Sequence, residues 1–140
     1  MARRGAAVIV DGDCATRERL RDMLQDTGLP IREARNVLQL HTLVSLGLMR
    51  REPQPSVIVL VMREPMPLLE RLCRSYVSEW DIPLVAITAF GPAEAATRAD
   101  GLGALVICDR PFDLERCRTE VAAVLAATDG ALAAGVSERT

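Results

Sequence analysis

Pro55-Ser56-Val57-Ile58-Val59-Leu60-Val61-Met62-Arg63-Glu64-Pro65 decides the fold. Five consecutive apolar residues, Val57 to Val61, carry no polar alternation, and three of them are β-branched valines. A strand wet on one face alternates; a run apolar throughout suits a strand buried on both faces of a parallel sheet. Three further runs have the same character: residues 6–10, Leu84–Thr88 and 104–108. Ile31–Ala34 is a weaker candidate for another strand.

Helix-length patterns lie between the runs. Residues 15–26 hold Leu20, Met23 and Leu24 at helical spacing, with Gly28 as a stop. Pro67–Ser78 carries an apolar stripe of Leu68, Leu69, Leu72, Cys73, Tyr76 and Val77. Residues 92–100 form a short alanine-rich helix, and residues 113–127 carry Leu114, Cys117, Val121, Val124 and Leu125. Strand followed by helix, five times over, implies an open parallel sheet with helices on both faces. Right-handed crossovers make this a flavodoxin-like (βα)5 three-layer sandwich, a five-stranded α/β fold of order 2-1-3-4-5. Its functional crevice lies at the carboxyl ends of the strands. The domain is expected over residues 1–127, with 128–140 as a flexible C-terminal tail.

The composition agrees. One core fits 140 residues. Hydrophobic residues make up 49% and charged residues 26%, and the net charge of −2 provides no field for nucleic acid or an anionic membrane. All 17 basic residues are arginine, which reads as a compositional bias. Cys14, Cys73, Cys108 and Cys117 form no CxxC pair, and His41 is the only histidine, so no zinc set is expected. Scattered cysteines and the lack of a membrane-length apolar run point to the cytoplasm. The apolar run after Met1-Ala2-Arg3-Arg4 ends too soon, at Asp11 and Asp13, to be a signal peptide.

The strand ends resemble those of response-regulator receiver domains, the CheY-like family. Val8-Ile9-Val10-Asp11-Gly12-Asp13 is similar to their first strand, which two consecutive acids follow. The stretch 55–65 resembles their third strand and its loop. Ile82-Pro83-Leu84-Val85-Ala86-Ile87-Thr88-Ala89 resembles their fourth, ending in Thr/Ser-Ala. Gly103-Ala104-Leu105-Val106-Ile107-Cys108-Asp109-Arg110-Pro111-Phe112 resembles their fifth, ending in Lys-Pro-Phe.

The resemblance implies a site and its loss. A working receiver needs a carboxylate to take a phosphoryl group, acids that hold a divalent cation, a lysine and a switch hydroxyl. By position, Asp11 matches the first metal-binding acid, Gly12 stands where the second should be, and Val61 replaces the phosphate acceptor. Arg110 replaces the lysine, Thr88 matches the switch hydroxyl, and Ile107 takes the place of the aromatic switch residue. Valine offers no oxygen, so phosphorylation at the usual site and Mg²⁺ binding are not expected. Asp13 suits the helix N-cap, and Glu64 faces solvent or an arginine; rescue of phosphorylation by either is the exception to test. Asp11 and Arg110 are expected to pair across the vacated crevice, with Val61 as its floor.

No catalytic residue, metal or cofactor is expected, since no nucleophile elbow, P-loop or HExxH motif is present. Gly101-Leu102-Gly103 is the turn into the fifth strand, not a dinucleotide loop. The resemblance implies a degenerate receiver in two-component signalling, acting by docking on another signalling protein or on itself. Two surfaces are candidates: the 92–127 face that receivers use, and Val37–Met49. In the latter, Val37, Leu40, Leu43, Val44 and Leu48 make one helix face, while Leu38, Leu46 and Met49 point elsewhere. With no output domain after residue 127, the chain reads as a stand-alone adaptor or a fragment of a longer one. The competing expectation is a small-ligand-binding protein or enzyme on the same scaffold, because fold does not settle function.

Overall fold

The computed structural model describes residues 5–64, 66–89, 91–108 and 114–139. The strands are β1 (Ala7–Val10), β2 (Ile31–Ala34), β3 (Val57–Met62), β4 (Leu84–Thr88) and β5 (Leu105–Cys108). The helices are α1 (Cys14–Leu24), α2 (Val37–Met49), α3 (Pro67–Ser78), α4 (Pro92–Leu102) and α5 (Leu114–Arg139). All strand pairs are parallel, in the order β2-β1-β3-β4-β5. The expected flavodoxin-like architecture is therefore present, with each strand followed by its helix.

Strand alternation sorts β3 between two cores. Ile58, Leu60 and Met62 pack with Val37, Leu40 and Val44 of α2, Cys73 and Tyr76 of α3, and Leu102 of α4. Val57, Val59 and the partly buried Val61 face Leu20, Met23 and Leu24 of α1, and Cys117, Val121 and Leu125 of α5. Each fully buried aliphatic side chain contributes about 1.5–3 kcal/mol, so the continuous apolar runs are what commit the chain to two covered faces.

Local signals set the ends. Asp13 caps α1 by accepting from the Thr16 amide at 3.1 Å. A single 3-10 turn, Gln25–Thr27, then leads to Gly28 at φ +72°, a left-handed conformation that glycine adopts without a Cβ penalty. Asn36 caps α2 through the Gln39 amide at 2.8 Å. Pro67 and Pro92 open α3 and α4, where the first turn needs no N–H.

One boundary differs from the sequence reading. α5 does not end at residue 127 but continues to Arg139, a helix of 26 residues or about 39 Å. The small residues after Ala127 read as a tail, yet alanine is the strongest helix former and they extend a helix already nucleated on the sheet. Among the described residues, no helix is long and apolar enough to cross a membrane.

Candidate functional site

The carboxyl ends of β1, β3 and β4 converge on one crevice. Register places Val10 beside Leu60 and Met62 beside Thr88, so Asp11, Val61 and Thr88 meet at its floor. A cavity of about 180 Å³ on one side is lined by Asp11, Gly12, Arg35, Val61, Arg63 and Glu64, among others. A second, of about 190 Å³, includes Thr16, Arg19, Val61, Arg63, Ile87 and Thr88 in its wall. The fold thus brings together Asp11, Gly12, Val61 and Thr88, four of the residues chosen from sequence. Arg110 lies outside the described residues.

Asp11 is the buried acid of this crevice, with 3% of its side chain exposed. Its carboxylate does not wait for a ligand. Arg63, two residues past Val61, donates from Nε to Oδ1 at 3.1 Å and from Nη2 to Oδ2 at 2.7 Å. This is the two-pronged geometry that a planar guanidinium makes with a carboxylate. The same Nη2 donates to Thr16 Oγ1 at 3.1 Å and lies 3.9 Å from Asp13 Oδ2. The hydrogen bond to Asp11 raises the Arg63 pKa further above its ordinary value, so Arg63 is a fixed cation. Arg17 adds to the closure: Nη1 donates to the Asp11 carbonyl at 2.8 Å, while Nε reaches Glu33 at 3.2 Å.

The partner expected for Asp11 was Arg110; the partner the structure shows on both carboxylate oxygens is Arg63. Sequence reasoning gave Arg63 no role. Arg63 lies one residue past the end of β3, where strand alternation no longer fixes the side a residue takes.

The other expected residues take ordinary positions. Asp13 is exposed at the α1 N-cap, where Thr16 donates to it from its hydroxyl at 2.5 Å and from its amide. Those two bonds lower its pKa, the side-chain bond most. Glu64 is exposed at the cavity rim. Gly12 has ordinary backbone torsion, and a Cβ there would meet only the Arg35 carbonyl, at 3.7 Å, so no close approach demands glycine. Ile107 is buried in the core beneath α5. His41 is remote, as expected on α2, its Nδ1 2.7 Å from the Tyr76 hydroxyl.

The donor set does not fit a divalent cation. Such an ion needs several free oxygens, whereas the Asp11 carboxylate is engaged by Arg63, and Gly12 and Val61 supply no side-chain oxygen. Among the described residues, no group of three or more His, Cys, Asp or Glu side chains could hold a metal.

A second ion-pair cluster fixes the helix that follows β4. Arg98 of α4 donates from Nη1 to both oxygens of the buried Glu70 of α3, at 3.1 and 3.2 Å. Glu70 Oε2 also accepts from the Met66 amide at 2.9 Å. This network ties α4 to the start of α3, and it too was not anticipated from sequence.

Comparison with solved structures supports the same architecture. A response regulator from Thermotoga maritima superposes with a TM-score of 0.70 at 18% identity, over 89% of this chain and 99% of that one. The fold is that of the receiver domains. A response regulator receiver protein from Burkholderia phymatum gives 0.70 at 20% identity, over 88% and 96% of the two chains. A signal receiver domain of a signal transduction histidine kinase from Syntrophus aciditrophicus gives 0.69 at 21%, over 88% and 91%. No protein-family model and no curated protein matches the chain.

Proposed function

We propose that this chain is a degenerate receiver domain of two-component-type signalling, not phosphorylated at the usual site, that works as a protein–protein interaction or dimerisation module. The observation that carries this reading is the two-pronged Arg63–Asp11 pair beside Val61. A receiver's chemistry needs a carboxylate nucleophile and a mobile cation that offsets charge on both partners. Here the nucleophile position is an aliphatic side chain, and the positive charge is tethered to the chain and engaged with Asp11.

Arg63 stands in for the cation without its chemistry. A guanidinium cannot exchange ligands as a hydrated ion does, and leaving would strand a buried carboxylate. The crevice therefore carries its positive charge on the chain itself, which disfavours Mg²⁺ there. Thr88 and Ile107, at the switch positions of the resemblance, are both buried, and Ile107 carries no aromatic ring to reorient. What remains of the scaffold is its surface, and the partners are another signalling protein or a second copy. A net charge of −2 argues against nucleic acid and anionic membrane as partners.

The test is intact-mass spectrometry after incubation with acetyl phosphate and Mg²⁺. The mass stays unchanged on this reading. A gain of one phosphoryl group on Asp11, Asp13 or Glu64 would overturn it.

A further inference from the structure

Seven large apolar side chains are exposed among the described residues, and four of them, Leu38, Leu46, Leu48 and Met49, belong to α2. Leu68 and Leu69 at the start of α3 are two more. Leu69 lines the same cavity as Val37, so the α3 pair continues the patch from the first turn of α2. Among the described residues, the 92–127 face contributes only Leu105.

The outer face of α2 is ordered, not scattered. Leu38, Thr42, Ser45 and Met49 follow one another at intervals of four, three and four, the spacing of a coiled-coil seam. Leu38 is 71% exposed and Met49 78%. The opposite face, Val37, Leu40 and Val44, is buried on the sheet. Leu48 lies on that inner face, about 20° round from Val37, yet is 58% exposed, because it sits in the last turn of α2, one turn beyond the buried Val44.

Two features say what covers the seam. The 13 residues of α2 include no charge. A charged partner gains nothing here, whereas a second copy meets the seam with no like-charge contact within it. The two polar residues of the seam are already satisfied inside the copy: Thr42 Oγ1 donates to the Leu38 carbonyl at 3.2 Å, and Ser45 Oγ lies 3.5 Å from His41 Nε2. Burying hydroxyls that have partners costs little. The exposed area of the six apolar side chains is on the order of 600 Å², against about 800 Å² that each partner buries in a standard interface. The patch is of the size a dimer needs once its rim is added.

We infer that α2 is the contact helix of a symmetric homodimer, packed against α2 of a second copy about a two-fold axis through the Thr42–Ser45 region, with Leu38 and Met49 exchanging contacts across it. This names the partner of the interaction module proposed above and rests on that reading.

The experiment is analytical ultracentrifugation of the full chain, the double variant Leu38→Glu/Met49→Glu and a control, Thr97→Glu, on the exposed side of α4. Wild type and control sediment as concentration-dependent dimers, and the double variant weakens association by about 100-fold or more, with an unchanged circular dichroism melt. A wild type that stays monomeric up to about 1 mM overturns the inference, as does a dimer that the double variant leaves intact. Leu38→Gln/Met49→Gln, which adds no charge, serves where the glutamates prevent folding, and it too weakens the dimer. The outcomes separate from those of phosphorylation: an unphosphorylated monomer removes the dimer alone, and a phosphorylated dimer removes the degenerate reading alone.

Discussion

The crevice at the strand ends and the outer face of α2 are opposites. In the crevice the two aspartates find partners within the chain: Asp11 has Arg63 on its carboxylate and Arg17 on its carbonyl, and Asp13 accepts from Thr16. On α2, Leu38, Leu46, Leu48 and Met49 are exposed to water among the described residues. The first region resembles a site by position yet is internally complete. The second has no catalytic outline yet is physically incomplete. The difference teaches that a site's remembered geometry and its present capacity to bind are separate properties, and that unmet interactions locate the second.

Mutations can break this contrast, because crevice changes act on stability and α2 changes act on assembly. The largest stability effect is expected for Arg63→Ala, which strands the buried Asp11 carboxylate. Breaking a buried pair costs about 3–5 kcal/mol, and with Arg63 58% exposed the expected loss is about 2–3 kcal/mol. Asp11→Ala leaves instead a guanidinium that water can solvate, so its cost is smaller, about 1 kcal/mol. Urea denaturation of both single variants and the double variant measures the asymmetry; equal costs would mean that Asp11 is not the buried member of the pair. Leu38→Glu, on the solvent side of α2, is expected to change monomer stability by no more than about 0.5 kcal/mol. A loss of several kcal/mol at Leu38 would show that this face is covered within the chain.

A smaller effect comes with alkali. Burial pushes the Tyr76 hydroxyl up from 10.0 to about 12 and the Cys73 thiol up from 9.0 to about 11. Both lie in the core between the sheet and α3. Raised folded values mean that the native state holds these protons more tightly than the unfolded chain. The associated stability is complete below about pH 9 and falls as the pH rises towards 12. Urea midpoints measured across pH 8–11 should decline in the upper half of that range, and a flat profile would contradict the burial of Tyr76.

The fold was legible because its signal is repeated. Val57–Val61 and the three similar runs admit few alternatives to a buried parallel sheet, and right-handed crossovers then fix the order. The crevice was legible by position: Asp11, Gly12, Val61 and Thr88 meet where the strand ends place them. What occupies it was not. Arg63 sits in a loop, where strand periodicity stops, and choosing the partner of Asp11 from among 17 arginines requires distances that spacing does not provide. The Glu70–Arg98 link failed to show for the same reason: it joins two helices 28 residues apart. The continuation of α5 past Ala127 was hidden by composition, since small residues without an amphipathic stripe read equally as tail or helix.

The central claim is that Arg63 has taken the place of a divalent cation. The most direct measurement follows the backbone amide resonances of Asp11, Gly12 and Asp13 by NMR during a Mg²⁺ titration of the wild-type protein. The account predicts no saturable shift at these three amides. A saturable shift centred on Asp11 in the wild type, with Arg63 displaced, would contradict it.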